Sequence, residues 1–152
     1  MNIKIDLQIA IKNEFIPKKN DFKKWLDATV NETTSPQKST EICIRIIDTK
    51  ESANLNKTYR HKSGPTNILS FDYEHEPKEE THLLGDLAIC APIVNKEAAE
   101  QKKPALAHWA HITIHGYLHL AGYQHQTKKQ TEKMENLEIK ILQNLGYNPY
   151  EN

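Results

Sequence analysis

The most constraining feature of this 152-residue chain is an apolar segment that carries three histidines, His115, His119 and His125. Residues four apart lie on the same face of an α-helix, so His115 and His119 can direct two imidazoles at one point. Gly122 favours the left-handed conformation that ends a helix, and His125 can then return from the following turn. Three nitrogen donors with an open fourth position are typical of a catalytic zinc site. We therefore expect one zinc ion per chain, held by a buried central helix and its exit turn.

The neighbouring histidines favour metal binding over ordinary core packing. Five of the eight histidines lie within residues 108–125. A buried imidazole without partners costs roughly a few kcal/mol, and one metal ion satisfies several rings together. His111 lies four residues before His115 and permits a shifted pair, but only the pair of His115 and His119 is followed by a glycine and a further histidine. We expect His108 and His111 to have packing or supporting roles.

Hydrophobic periodicity predicts an α+β fold, with about four strands in a mixed sheet and helices packed over it. Strands are expected at residues 2–11, 41–47, 66–73 and 83–90, the last two forming a hairpin around a charged, solvated loop at 74–82. The first strand, helix and second strand favour a parallel crossover. Five helices are expected. The first begins near Asn20 or Asp21, and the second begins at Asp48, which forms a capping box with Glu51. The third runs from Pro92 to about Lys103, the fourth begins at Pro104, and the fifth begins at Thr127, which forms a second capping box with Gln130. The last helix has Met134, Leu137, Ile141 and Leu145 on one face. No long linker interrupts this pattern, so residues 1–152 are expected to form one domain.

The composition excludes some broad classes of partner. The chain has 20 basic and 20 acidic residues, so only a local cluster of charge can attract a polyanion. No stretch approaches the ~18 continuous apolar residues of a membrane helix, and the first residues lack the apolar run of a signal peptide. Cys43 and Cys90 are far apart in apolar contexts, which is typical of free buried thiols in a reducing compartment. We expect a cytoplasmic protein that does not bind membranes.

The histidine spacing matches that of the metzincin zinc peptidases, H-E-x-x-H-x-x-G-x-x-H, with one difference. Gly116 occupies the position of the glutamate that serves those enzymes as general base. A water molecule must then be deprotonated with the help of the metal alone or of another residue. This favours hydrolysis of a bond other than a peptide bond, and a peptidase is the weaker alternative.

Residues 115–125, written H-G-x-L-H-L-x-G-Y-x-H, resemble the signature of the YbeY family of metal-dependent endoribonucleases. Further blocks at residues 55–60, 65–71, 84–87 and 134–147 are similar to other parts of that family. The resemblance implies zinc ligation by His115, His119 and His125. It also implies a zinc-dependent, single-strand-specific endoribonuclease that acts on ribosomal RNA in maturation and ribosome quality control. Its partners would be single-stranded RNA and the ribosome or small-subunit assembly proteins.

The same resemblance implies that Arg60 is the important basic residue facing the cleft, and we expect it to be catalytic. A guanidinium suits a phosphodiester because it offers paired planar donors and stays charged. Residues 53–71 contain no acidic residue. We predict substrate binding by Lys57, Arg60, His61 and Lys62, with Lys102, Lys103, Lys128 and Lys129 as further candidates. Thr66 and Ser70 are expected to be structural.

Two positions depart from the family pattern. The family usually has aspartate where this chain has Asn67 and Gln124, so neither position supplies a carboxylate as general base. Gln124 can still orient a ligand by a hydrogen bond, so metal binding should survive. Asp86 is a candidate for that supporting or basic role, although a structural role at a strand end is favoured. A different class of function is also open, namely a ribosome-assembly binding factor with a mainly structural zinc.

Overall fold

The computed structural model describes residues 3–33, 40–72 and 83–148. Its four strands are β1 (Ile3–Ile9), β2 (Thr40–Ile47), β3 (Ile68–Asp72) and β4 (Leu83–Cys90). Its five helices are α1 (Lys19–Glu32), α2 (Thr49–Arg60), α3 (Ala91–Glu100), α4 (Ala105–Leu120) and α5 (Lys128–Asn144). This confirms the α+β class. The charged loop expected at 74–82 lies outside the described residues.

The strands form one mixed sheet in the order β1-β2-β4-β3. β1 pairs in parallel with β2, as the expected crossover requires, and β2 also pairs in parallel with β4. β3 is antiparallel to β4, with Phe71 opposite Asp86, so the last two strands form the expected pair. β3 is therefore an edge strand, on the opposite side of the sheet from β1.

Helix α4 is the central helix of the fold. It is apolar nearly all round, which predicts a buried helix, and Trp109, Ile114 and Leu118 are completely buried. α4 packs against β3 and β4 and also against α1, α3 and α5. α2 covers the other face of the sheet, where Leu55 packs on a smaller apolar cluster. The expectation of a buried central helix is confirmed.

Helix α4 meets the sheet closely at Gly116. A Cβ atom at this position would lie 2.5 Å from Ile68 Cδ1 and 3.0 Å from Leu87 Cδ2. The Ser70 hydroxyl also donates to the Gly116 carbonyl, at 3.4 Å. The missing side chain thus lets α4 lie against β3 and β4, and this brings its histidines to the β3 edge of the sheet.

Several element boundaries differ from the sequence expectation. β1 ends at Ile9, which is 56% exposed, and the Ala10 N–H just beyond it bonds to the Ile46 carbonyl on β2 at 2.8 Å. β3 begins at Ile68 because the N–H and carbonyl of Thr66 both bond to the Ser52 hydroxyl instead of to a strand. α3 begins at Ala91 and ends at Glu100, three residues before the predicted end.

The helix caps show which capping predictions hold. At α1 the Asp21 carboxylate accepts the Lys18 N–H at 2.9 Å from inside the first turn, so neither Asn20 nor Asp21 is the N-cap residue. At α2 the N-cap Asp48 accepts the Glu51 N–H at 2.8 Å. The Glu51 carboxylate pairs with Arg45 at 2.6 Å instead of returning to the cap, so this box is half formed. At α5 the box of Thr127 and Gln130 is complete.

The structure also bears on two further expectations, which concern the cysteines and membrane-spanning helices. Cys43 and Cys90 are both free, Cys90 fully buried and Cys43 partly so. Burial raises the pKa of both thiols, to about 11 for Cys43, where the nearby Asp86 and Asp6 carboxylates add to the effect. Within the parts of the chain that the structure describes, every helix is too short or too polar to cross a membrane.

Candidate metal centre

The three histidines of the motif come together at the end of α4. His115 and His119 lie one turn apart on that helix, and Gly122 follows it with a φ of +101°. His125 returns from the turn beyond. One ligand atom from each ring lies within 4.8 Å of the other two. The set that the spacing predicted is therefore assembled at one place and can hold a metal ion.

The chemistry of these rings fits a divalent cation. The Nε2 atoms of His115 and His119 are 3.0 Å apart. Two nitrogens bound to one tetrahedral zinc at ~2.0–2.1 Å lie roughly 3.3 Å apart, which is a similar separation. Burial, together with the neighbouring His115 and His125, lowers the pKa of His119 to about 4. His119 is thus neutral near pH 7, and a neutral imidazole is the form that binds metals.

A carboxylate from α5, Glu138, supports the histidines and was not anticipated from the sequence. Its Oε2 lies 2.5 Å from His115 Nδ1, and its Oε1 lies 3.2 Å from His111 Nε2. Burial by itself raises the pKa of this carboxyl, but the hydrogen bonds and charges of the two histidines outweigh it and lower the pKa to about 2. The available clue was its position, since Glu138 lies four residues after Met134 and three before Ile141 in a buried apolar stripe.

The histidines open onto a cavity of about 880 Å³ between α4, α5 and β3. Arg60, at the end of α2, also lines the cavity, and its charge contributes to lowering the pKa of His119. The lining also includes Ser70 and Glu138. Lys57, His61 and Lys62 are exposed around the same helix end but do not line the cavity. Within the described parts of the chain, Arg60 is thus the predicted substrate residue that lines the cavity together with the three histidines.

Comparison with known proteins identifies the family of the chain. The family described as Endoribonuclease YbeY matches residues 8–146 of the chain. The chain belongs to the YbeY family. The solution structure of TM1509 from Thermotoga maritima has a similar fold, with a TM-score of 0.55 and 21% identity over 99% of each chain. YbeY membership supports an endoribonuclease role in rRNA processing.

The two remaining histidines of α4 have supporting contacts, as expected. His111 bonds to Glu138, as described above, and His108 Nε2 lies 3.0 Å from Glu97 Oε1 on α3. Burial lowers the pKa of His108, although the Glu97 carboxylate opposes that effect. The Asn67 side-chain amide donates to the same carboxylate at 3.2 Å. In this YbeY protein the position expected to carry aspartate is therefore an amide that contacts a neighbouring carboxylate.

The positions considered for a general base lie in different environments. Gly116 is buried against the sheet, so a metzincin glutamate would not fit there without displacing Ile68 and Leu87. Gln124 is exposed beside His125. Asp86 lies between Gly85 and Leu87, which both face α4. Its side chain is therefore on the other face of the sheet, which agrees with a structural role for Asp86 in this YbeY protein.

Proposed function

We propose that this chain is a zinc-dependent endoribonuclease that cleaves single-stranded ribosomal RNA during maturation and ribosome quality control. It acts in the cytoplasm as one YbeY-like domain spanning residues 1–152. Its partners are RNA and the ribosome or small-subunit assembly proteins, without membrane binding. The observation that carries this proposal is that Arg60 and the three histidines line the same cavity in a member of an endoribonuclease family.

His115, His119 and His125 hold the zinc ion. Imidazole is a preferred ligand of zinc, and three protein ligands leave a position open for substrate or water. When bound, zinc supplies a Lewis acid for a phosphate oxygen and lowers the pKa of water to ~7. Glu138 is buried beside this group and contacts His115 Nδ1 at 2.5 Å. His125 is the exposed member of this group, and all three histidines line the cavity.

Arg60 binds the scissile phosphate and is the catalytic cation. In the described residues it forms no ion pair, so its guanidinium is available to a phosphodiester. It offsets the negative charge that develops on the phosphate oxygens as the bond to the attacking oxygen forms. Lys57, His61 and Lys62 surround it at the exposed end of α2 and bind the flanking phosphates. This local basic cluster supports RNA binding by a chain that has no net charge.

Preference for single strands is explained by an exposed aromatic ring next to Arg60. The Tyr59 ring is 62% exposed and rests edge-on against Phe71, with ring centroids 5.2 Å apart. Unpaired bases stack on such rings with little dependence on sequence. Bases in a duplex are already stacked and paired, so this contact favours an unpaired strand.

The two alternative functions fit the site less well. A purely structural zinc site is usually closed by four protein ligands, whereas this group has three histidines and borders a cavity. A metzincin-like peptidase needs a glutamate at position 116, and the packing of Gly116 leaves no room for one. Both alternatives therefore require features that the described residues lack.

The proposal is tested with zinc-loaded protein and an RNA of one sequence, presented either as a single strand or as a duplex. We expect cleavage of the single strand, loss of cleavage in a His115→Ala variant, and normal cleavage in Lys4→Ala, which lies on the opposite edge strand β1. Cleavage that persists in the His115→Ala protein, or that is equal on duplex RNA, would contradict the proposal. Chelation followed by a melting curve separates the structural-zinc alternative, which requires unfolding when the metal is removed.

A further inference from the structure

Glu138 is an ionisable group in an apolar part of the structure. It is 4% exposed, and its helical neighbours Met134, Ile141 and Leu142 are buried as well. A buried carboxylate is costly unless specific partners compensate for its desolvation. Leucine or methionine at this place would complete the apolar stripe of α5 without that cost. The carboxylate therefore requires an explanation from its partners.

Both oxygens of Glu138 are engaged by histidines of α4. Oε2 contacts His115 Nδ1 at 2.5 Å, and Oε1 contacts His111 Nε2 at 3.2 Å. Because Glu138 uses the Nδ1 of His115, the Nε2 of that ring is left for another partner. That Nε2 faces His119 Nε2 at 3.0 Å, inside the group that can hold a metal.

We infer that Glu138 is a positioning residue of the metal centre, and this inference rests on the proposed zinc site. Glu138 accepts a hydrogen bond from His115 Nδ1–H, which fixes the tautomer and the ring orientation so that the Nε2 lone pair points at the ion. His111 holds the second oxygen, so the carboxylate cannot rotate away from His115. Carboxylates that orient metal-binding histidines in this way also make the imidazole a better donor.

A direct role as a fourth ligand does not agree with the contacts. Both carboxylate oxygens already bond to imidazole nitrogens, and among the residues that the structure describes the atoms close enough to share an ion come from the three histidines. Glu138 thus acts on the ion through His115. His111, which the sequence placed in a supporting role, acts one step further away by holding Glu138.

The test uses the whole protein and makes two measurements. The first is zinc affinity by competition with a chelator, and the second is the absorption spectrum of the cobalt-loaded protein. Glu138→Ala removes the hydrogen bond to His115 and is expected to weaken zinc binding by roughly 10- to 100-fold. Glu138→Gln keeps a similar shape and an acceptor oxygen, so its loss should be smaller and its fold retained. Glu135→Gln is the matched control, since Glu135 lies one turn earlier on α5 and borders the same cavity without a bond to a histidine. That variant should bind zinc like the wild type.

The spectrum of the cobalt protein distinguishes positioning from a general effect on stability. We expect the Glu138→Gln and Glu138→Ala proteins to show altered bands, because the geometry of His115 at the ion changes. The inference would be overturned if both variants bound zinc with wild-type affinity and gave an unchanged cobalt spectrum. If the Glu138→Ala protein does not fold, the affinity and spectrum of Glu138→Gln alone provide the test. Absence of zinc binding by the wild type would overturn it too. RNA cleavage is measured separately, so a wild type that binds zinc but cleaves no RNA contradicts only the proposed nuclease.

Discussion

Two groups of residues lie at the cavity or beside it, with Arg60 the member of the basic group that lines it, and the groups differ in how firmly the fold holds them. The histidine side consists of His115, His119 and Glu138, which project from packed helices. Glu138 is almost completely buried and bonds to His115 at 2.5 Å. The basic side consists of Lys57, Arg60, His61 and Lys62, all exposed at the end of α2. Folding alone orders the histidine side, whereas the basic side holds long side chains whose ordering costs entropy when substrate binds.

This difference suggests that the two groups have separate roles, one in metal binding and the other in RNA binding. Metal binding needs ligands held to within fractions of an ångström, which packed helices provide. Binding a flexible RNA backbone needs positive charge that can follow the strand, which exposed lysines and arginines provide. Substitutions on the histidine side should therefore change folding or metal affinity, while those on the basic side should change RNA binding and cleavage alone.

The largest effect is expected where α4 rests on the sheet. Gly116→Glu, which restores the metzincin pattern, places a carboxylate against Ile68 and Leu87. Overpacking together with a buried charge should destabilise the protein by about 3 kcal/mol or more. This corresponds to a fall in Tm of roughly 6–12 °C, measured by thermal melting.

Gly64→Ala is the control, because an added Cβ there meets no atom within 4 Å and only the φ of +84° resists the substitution. The Gly64→Ala substitution should lower the free energy of unfolding by about 1–2 kcal/mol. A stable Gly116→Glu protein that digests casein would contradict the packing argument.

Removal of a ligand should separate metal binding from folding. His119→Ala takes away one of the three donors, so zinc affinity should fall by more than the roughly 10- to 100-fold typical of losing a supporting residue. The metal-free protein should remain folded, because alanine has the highest helix propensity and His119 is only partly buried. Competition with a chelator measures the zinc affinity, and circular dichroism shows whether the metal-free protein is folded. Unchanged zinc affinity would exclude His119 as a ligand.

On the basic side, Arg60→Ala should leave zinc affinity unchanged and lower kcat for RNA cleavage by roughly 10²- to 10³-fold, the usual effect of losing one group that stabilises the transition state. Arg60→Lys should recover part of that loss, since it restores charge without the paired donors. Kinetics on a single-stranded oligonucleotide measure both variants. A drop in zinc affinity equal to that of His119→Ala would mean that the two sides are not independent.

The aromatic contact should contribute less. Tyr59→Ser is expected to weaken binding of single-stranded RNA by about 1–3 kcal/mol, or roughly 5- to 150-fold. Tyr59→Phe should bind normally because the ring is kept. Phe15→Ser removes an aromatic side chain that is 49% exposed elsewhere on the surface, and should have no effect on RNA binding. Fluorescence titration with a labelled oligonucleotide distinguishes the three, and equal affinities would rule out stacking on Tyr59.

The smallest effect is expected from single lysines. Lys57→Ala should weaken RNA binding modestly and reduce the slope of log K against log salt by about 0.7, the value for one phosphate contact on a single strand. Lys24→Ala on α1 provides a control with the same change in net charge. Identical slopes for the two variants would place Lys57 outside the RNA path.

Residues within one helix and its exit turn were predictable from the sequence because local spacing determines how they meet. The positions of His115, His119 and His125 follow from helix periodicity and a glycine stop, and the strand pattern follows from alternation. Glu138 was missed because it reaches His115 from 23 residues away, through packing of α5 on α4. The spacing from Met134 and Ile141 places Glu138 on the buried face of α5, but it does not indicate which residue of another helix the carboxylate contacts.

Competition between hydrogen-bond partners also explains why two smaller predictions, a capping box and a strand boundary, were wrong. Glu51 was expected to complete a capping box, but Arg45 on β2 competes for its carboxylate. The strand expected from Thr66 is shortened because the Ser52 hydroxyl takes both backbone groups of that residue. In each case a side chain on a different element forms the bond instead of the expected local partner, and this competition becomes visible only when the elements are packed.

The bond between His115 and Glu138 also has a consequence for the order of events during synthesis. A chain emerging at ~5–20 residues per second presents Glu138 roughly 1 to 5 seconds after His115. During that interval α4 can carry its histidines, but the carboxylate that orients them has not arrived. If the proposed metal site holds, a nascent chain is therefore expected to bind metal more weakly until α5 docks on α4.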